Sequence, residues 1–175
     1  MKETARILLF TGDGKGKTTA ALGMALRAAG HGMRTLFIQF IKDDPSTGEL
    51  AACKVLPGVK AVQAGRGFVP NPQDPAFGEH CRAAREGLAL AEKALRESAC
   101  DLLVLDEICL AVAKGLLEED DVVVAIRKAG PSIVVVLTGR SAPAGLIALA
   151  DTVTEMRAVK HGLSQGLPAK KGVEY

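Results

Sequence analysis

The sequence predicts an α/β fold in which helices cover both faces of a mostly parallel, six-stranded sheet. Six short apolar, β-rich runs alternate along the chain with helical patterns, and such alternation is typical of parallel sheets. Several of these runs are apolar almost throughout, as expected for strands that are buried on both faces. A glycine-rich loop joins the first run to the first helical pattern, where folds of this class bind phosphate groups. The length of 175 residues predicts one domain that spans the chain.

In chain order, the apolar run of residues 6–10 predicts the first strand, and the pattern of residues 18–29 predicts the first helix. The next apolar runs predict strands at 35–40 and 59–63. A short helix is expected between them, near Glu49. This half of the chain therefore supplies three strands and the loop before the first helix.

The second half opens with a long helix predicted over residues 79–98. One stripe of this helix carries small and apolar residues, as in a helix that covers a sheet; they are Ala84, Leu88, Ala91 and Leu95. The remaining elements are predicted strands at 102–105, 133–137 and 152–156, predicted helices at 118–128 and 143–150, and a shorter helix near Ile108.

Two segments fall outside this alternation. Residues 65–75 are rich in glycine and proline and predict a loop. The tail over residues 158–175 has little apolar periodicity and several basic residues. Long loops and polar tails often carry function, although a plain connector and a frayed terminus would have the same composition.

Composition restricts the classes of partner. The formal net charge of +2 and an aromatic content of 3% argue against a nucleic-acid surface. No apolar run is long enough for a signal peptide or a membrane span. The four cysteines form no C-x-x-C pair and have no histidine at a zinc spacing, which indicates free thiols and a cytoplasmic location.

The stretch from Gly12 to Thr19 is typical of a phosphate-binding loop. Its glycines let backbone N–H groups turn inward, and the helix N-terminus adds a partial positive charge. Lys17 is placed to reach phosphate oxygens, and the Thr18 hydroxyl to face Mg²⁺. The nucleotide-binding residues predicted here are Gly12, Asp13, Gly14, Lys15, Gly16, Lys17, Thr18 and Thr19. Thr11 stands where the usual pattern has its first glycine, so the phosphates need not lie as in ordinary ATPases.

Two further patterns are predicted to lie at the same sheet edge. The run 102–105 is followed by Asp106 and Glu107, the Walker B arrangement, in which carboxylates hold Mg²⁺ directly or through water. A helix-capping aspartate is the alternative. Arg140 follows the strand at 133–137 and is predicted to contact phosphate, with an unrelated surface arginine as the alternative. Arg27, late in the first helix, is a further candidate for nucleotide binding, with a surface ion pair as the alternative.

The single asparagine is followed by proline, so no guanine-reading N-K-x-D motif exists.

Together these stretches resemble the P-loop ATP:corrinoid adenosyltransferases of cobalamin synthesis and salvage, whose fold is RecA-like. The resemblance spans nearly the whole chain. Beyond the phosphate-binding loop, the pieces that carry it are residues 27–32, Gln39-Phe40-Ile41-Lys42, Val104-Leu105-Asp106-Glu107, Thr138-Gly139-Arg140, residues 150–157, Val159-Lys160-His161 and Gly172-Val173-Glu174-Tyr175. The chain departs from the family in its short segment before the first strand and in Pro70, which replaces a tryptophan.

The resemblance implies a reaction in which Co(I) of a reduced corrinoid attacks C5′ of ATP and triphosphate leaves. It implies ATP in a reversed orientation, Mg²⁺ held by Thr18, Asp106 and Glu107, and Lys17 and Arg140 among the catalytic residues. Phe68 is the implied aromatic that displaces the lower axial ligand of Co(II) before reduction. A flavoprotein or flavin reductant and a homodimer are also implied, with no nucleic acid and no membrane.

Two other classes of protein remain open on the residues alone. A RecA-like ATP hydrolase coupled to a protein or nucleic-acid partner would use Glu107 to position water. A nucleotide-sensing module would bind ATP without chemistry.

Overall fold

The computed structural model describes residues 4–162 and 165–173. Six strands form one sheet in the order β3-β2-β4-β5-β1-β6, and every neighbouring pair is parallel. The α/β class and the six strands are therefore confirmed, and the sheet is parallel throughout rather than mostly so. The strands are β1 Arg6–Thr11, β2 Thr35–Gln39, β3 Val59–Gln63, β4 Leu102–Asp106, β5 Val134–Thr138 and β6 Thr152–Glu155.

The helices also lie where the sequence predicts them, with ends that differ by at most two residues for those given bounds. They are α1 Lys17–Gly30, α2 Gly48–Val55, α3 Phe77–Arg96, α4 Ile108–Ala113, α5 Glu119–Arg127 and α6 Ala144–Leu149. None of them, within the residues described, is both long and apolar enough to cross a membrane.

The core consists of two apolar layers, one on each face of the sheet. Helix α1 buries its alanines against Phe37, Val104 and Val136 on one face. The other face packs against α3 to α6, and the predicted stripe of α3 is buried there. Because β2 and β4 are buried along their whole length, their apolar runs are continuous rather than alternating.

The strand order brings the predicted site residues to one edge. Parallel strands end at the same edge of a sheet, and an open α/β sheet binds its ligands there. The phosphate-binding loop leaves β1, Asp106 ends β4 and Thr138 ends β5. These three strands are consecutive neighbours in the order β4-β5-β1, so residues more than 100 positions apart meet.

Thr35 is the first residue of β2, at the end of the strand away from the site. It offers a test of how a buried polar group affects the stability of the core. Its side chain is 3% exposed, and its Oγ1 has no hydrogen-bond partner among the described residues. A buried hydroxyl without a partner costs about 1–3 kcal/mol. We expect Thr35→Val, which keeps the shape of the side chain, to raise the free energy of unfolding by about 1 kcal/mol and Tm by about 2–4 °C. A denaturant titration together with a thermal scan checks this, and a lower stability in both would contradict it.

Candidate active site

The phosphate-binding loop spans the gap between β1 and α1. Gly12 has φ +93° and Gly16 has φ +116°, a region that favours glycine. A side chain at Gly12 would also meet the carbonyl oxygen of Met156 at 2.5 Å. Both glycines are therefore required by the backbone path itself, whatever the loop binds.

Met156, which follows β6, holds this loop by backbone hydrogen bonds. The Gly14 N–H donates to the carbonyl oxygen of Met156 at 2.6 Å, and the Met156 N–H donates to that of Thr11 at 2.8 Å. Thr11 itself ends β1, and its Oγ1 accepts from the Ala142 N–H at 3.4 Å. The residue in place of the usual glycine thus connects the loop to the segment before α6.

Lys17 lies folded over the loop. Its Nζ donates to the carbonyl oxygens of Gly12 at 2.7 Å and Gly14 at 2.6 Å, and the side chain is only 7% exposed. Burial lowers the pKa of Lys17, and the nearby Glu107 carboxylate opposes the shift. A buried ammonium held by two neutral carbonyls is a strong site for an anion.

The N-terminus of α1 adds to this positive field. Gly16 is the N-cap residue, so no side chain satisfies the first N–H groups, and the first turn carries no acidic residue. A helix start of this kind presents free N–H donors and about half a positive charge. Together with Lys17 it is suited to phosphate oxygens.

Asp106 lies beneath the loop and is fully buried. Its Oδ1 accepts from the hydroxyls of Thr18 at 2.8 Å and Thr138 at 2.7 Å. Its Oδ2 accepts from the amide of Gln39 at 3.3 Å. The carboxylate therefore joins the ends of β2, β4 and β5 to the first turn of α1.

Glu107 occupies a different position although it is the next residue. Its backbone is left-handed, with φ +62°, and its N–H donates to the Thr138 hydroxyl at 2.9 Å. This conformation is uncommon for a residue with a side chain and tends to occur at functional sites. Its Oε2 is buried and has no partner among the described residues. Burial, and then the Asp106 carboxylate, raise the pKa of Glu107, while nearby cations oppose the shift.

A cavity of about 520 Å³ opens above these groups. The phosphate-binding loop and the start of α1 form one part of its wall, and residues of α2 and of the tail form another. The predicted site residues that line it are Gly14, Lys15, Gly16, Lys17, Thr18, Thr19, Glu107 and Arg140. Three residues of the predicted tail segment line it as well, namely His161, Gly172 and Val173.

Other predicted site residues lie outside the cavity wall. Gly12 and the exposed Asp13 belong to the loop but do not line the cavity, and Asp106 lies behind Thr18. Arg27 is exposed in the last turn of α1, where it lines a small cavity with the first residues of β4 and β5. That is the opposite edge of the sheet, so the structure does not bring Arg27 to this cavity. Phe68 is 93% exposed and does not line the cavity either.

Several site residues were not predicted from the sequence. Lys42 and Glu49 line the cavity and form an ion pair with an Nζ–Oε1 distance of 2.6 Å. Gln39 and Thr138 hold Asp106. Gln39, Lys42 and Thr138 lie in stretches that carry the family resemblance, which is a signal. The contacts of Gln39 and Thr138 with Asp106 depend on neighbouring strands. The contact of Lys42 with Glu49 depends on the position of α2. Among the described residues, no three histidine, cysteine, aspartate or glutamate side chains are grouped to hold a metal.

Comparison with known proteins is consistent with this site. The family model described as ATP:corrinoid adenosyltransferase BtuR/CobO/CobP matches residues 3–175. A corrinoid adenosyltransferase of Pseudomonas aeruginosa is 40% identical over 174 residues, which cover 99% of this chain and 85% of the relative. Corrinoid adenosyltransferases of Escherichia coli and Salmonella typhimurium are 38% and 36% identical, and each alignment covers 99% of this chain and 87% of the relative.

A solved structure supports the fold alone. The flagellar accessory protein FlaH from Methanocaldococcus jannaschii aligns with a TM-score of 0.54 at 10% identity, over 89% of this chain and 72% of that chain. The identity is too low to carry function across, whereas the family model and the full-length relatives agree with each other. The chain therefore belongs to the ATP:corrinoid adenosyltransferase family, whose reaction is the ATP-dependent adenosylation of a corrinoid.

Proposed function

We propose that this chain transfers the 5′-deoxyadenosyl group of ATP to the cobalt of a reduced Co(I) corrinoid such as cob(I)alamin, and releases triphosphate. One observation carries the proposal at the level of residues: Lys17, Thr18 and Glu107 face a single cavity at the carboxyl edge of the sheet. In the reaction, the Co–C5′ bond forms from the electron pair on cobalt. The C5′–O bond breaks, and its electron pair leaves with the triphosphate.

The substrate supplies its own nucleophile, so the protein's task is to stabilise the leaving group and to hold the reacting atoms in line. Lys17 and the free N–H groups at the start of α1 would bind the polyanion as negative charge grows on it. Arg140, exposed at the cavity wall, would add a second positive charge to bind phosphate. Burial of Lys17 strengthens this interaction because less water screens it.

The residues present fit a Mg²⁺ ion. Glu107 has a buried carboxylate oxygen without a partner, and the Thr18 hydroxyl donates to Asp106, which leaves its lone pairs available. Thr18 and Glu107 would hold the ion together with phosphate oxygens and water, while Asp106 would orient Thr18. When bound, the ion would supply charge neutralisation to the triphosphate.

The corrinoid end of the site is proposed to involve the loop 65–75 and the tail. Phe68 lies in that loop and is 93% exposed. A ring exposed in this way is available to a large planar ligand. The same proposal includes a cytoplasmic location, a homodimer, a single domain over residues 1–175, and a flavoprotein or flavin that reduces the corrinoid.

A second candidate is an ATP hydrolase, which the Walker B position of Glu107 favours. The two functions differ in their products. Protein, Mg²⁺-ATP and chemically reduced cobalamin are mixed under anaerobic conditions, and the loss of the Co(I) absorption band is followed. Free triphosphate together with adenosylcobalamin supports the transferase. If ADP is formed, and at the same rate with and without corrinoid, the transferase proposal is overturned in favour of the hydrolase.

Glu107→Gln tests the metal assignment. The amide keeps the size of the side chain but removes the charge, so we expect weaker Mg²⁺ binding, with turnover lowered about 10- to 100-fold at a fixed metal concentration. Mg²⁺ titrations of the transfer rate measure this. Asp106→Asn is expected to be milder, near the lower end of that range, because the Asn oxygen can still accept from Thr18 and Thr138 and the bond from Gln39 is the contact that is lost. If both variants kept the wild-type Mg²⁺ titration, the metal assignment would fail.

A further inference from the structure

Gln39 is a buried polar residue that the proposed reaction does not use. It ends β2, lies in register with Asp106 on β4 and Gln63 on β3, and is only 1% exposed. Three polar residues therefore stand side by side across the carboxyl edge of the sheet. A buried amide is costly unless its donor and acceptor groups are used, so its partners indicate its role.

The hydrogen bonds determine how this amide is oriented. Its Nε2 donates to Asp106 Oδ2 at 3.3 Å and, at the longer distance of 3.5 Å, to Glu49 Oε1. Its Oε1 accepts from Gln63 Nε2 at 3.1 Å. The reverse orientation would place the amide oxygen against two carboxylates and the amide nitrogen against another donor, so only one orientation satisfies the group.

The partners of Gln39 are themselves held by further contacts. Gln63 Nε2 donates to the carbonyl oxygen of Asp44 at 3.0 Å, in the segment between β2 and α2. Lys42 pairs with Glu49, and its Nζ lies 3.9 Å from Asp106 Oδ2. The Asp106 carboxylate is thus held from both sides, by two hydroxyls on Oδ1 and by the amide on Oδ2.

We propose that Gln39 is a positioning residue, which fixes the rotation of Asp106 so that the Thr18 hydroxyl points its lone pairs at the metal. The inference rests on the proposed function, because it concerns the Mg²⁺ that accompanies ATP. Without the amide, hydrogen bonds hold the carboxylate at Oδ1 alone, so its rotation is less restricted and the bond from Thr18 to Oδ1 is less firmly directed. Residues that orient a metal ligand in this way typically change metal affinity 10- to 100-fold when they are replaced.

The test is Gln39→Met, which keeps an unbranched side chain of similar length and removes both the donor and the acceptor. Mn²⁺ serves as the probe, titrated by electron paramagnetic resonance into protein saturated with ATP. We expect the dissociation constant for Mn²⁺ to rise about tenfold. ATP binding measured by calorimetry in EDTA should change less than about twofold, since Gln39 does not line the cavity.

The matched control is Thr35→Val, another exchange of a buried polar side chain for an apolar one, at the other end of the same strand. It should leave Mn²⁺ affinity unchanged. Gln63→Met is the second variant, in case Gln39→Met fails to fold. It removes one neutral hydrogen bond from the amide and should weaken Mn²⁺ binding about threefold.

Three results would overturn the inference: wild-type Mn²⁺ affinity in Gln39→Met, parallel losses of Mn²⁺ and metal-free ATP binding, or unchanged Mn²⁺ affinity in Gln63→Met when Gln39→Met does not fold. Corrinoid transfer by the wild-type protein is assayed separately. Loss of Mn²⁺ affinity in a protein that never adenosylates a corrinoid would remove the proposed function and leave the role of Gln39 intact.

Discussion

Lys17→Ala should abolish transfer, with a fall in kcat of at least about 100-fold. The ammonium is buried beside the loop carbonyls and faces the cavity, so water screens its attraction for the leaving triphosphate only weakly. A single electrostatic contact of this kind contributes about 3 kcal/mol or more to the barrier, which corresponds to about two powers of ten in rate. Initial rates with preformed Co(I) and saturating Mg²⁺-ATP measure the effect.

The control for this variant is Lys54→Ala, which removes an exposed lysine from the last turn of α2. Its rate should match the wild type, so a general effect of lost positive charge is excluded. Because Lys17 also bonds two loop carbonyls, Tm and ATP affinity are measured alongside the rate. A kcat within a factor of two or three of the wild type would contradict the role given to Lys17.

The sequence predicts most of the fold because its strands carry their own signal. The runs that become β2 and β4 are apolar at nearly every position, which only burial on both faces explains. Strand β6 is exposed along its length, and its β-rich composition still placed it correctly. The order of the strands was not predictable, since it depends on contacts between segments far apart in the chain.

Site residues that are close together in the sequence could be predicted from their spacing. Those that meet only through the pairing of distant strands could not. The loop from Gly12 to Thr19 is a local pattern, so the sequence locates it. Asp106 and Glu107 are adjacent, and the sequence assigns both to the metal. The left-handed backbone at Glu107 separates them, with one carboxylate beneath Thr18 and the other at the cavity.

Arg27 and Gln39 show two limits of sequence patterns: the first was predicted in the site and lies away from the cavity, and the second was not predicted and contacts Asp106. Arg27 lies ten positions after Lys17 on the same helix, which at 1.5 Å per residue places it about 15 Å away. Helix geometry alone therefore argued against its place in the site. Gln39 shows the reverse, because its contact with Asp106 requires β2 and β4 to be neighbours in register, and no local pattern reveals that.

The second large effect is expected at Phe68. If its ring displaces the lower axial ligand of Co(II), it acts on reduction and not on transfer of the adenosyl group. Phe68→Ala should then lower the rate at least about tenfold in an assay that starts from Co(II) and a reduced flavoprotein, on the scale of an aromatic contact worth more than 1 kcal/mol. With Co(I) made beforehand by a strong chemical reductant, the same variant should stay within about a factor of two of the wild type, because the axial ligand has already left.

The exposure of Phe68 makes the two assays decisive. A ring that is 93% exposed contributes almost nothing to the stability of this chain, so Phe68→Ala should leave Tm within about 1 °C of the wild type. Phe68→Leu is the matched variant, since it keeps apolar bulk on the loop and removes the flat ring. If the ring itself is needed, Phe68→Leu should behave like Phe68→Ala with Co(II). Equal losses in the Co(II) and Co(I) assays would show that Phe68 serves corrinoid binding in general, and the role in displacing the axial ligand would have to be abandoned.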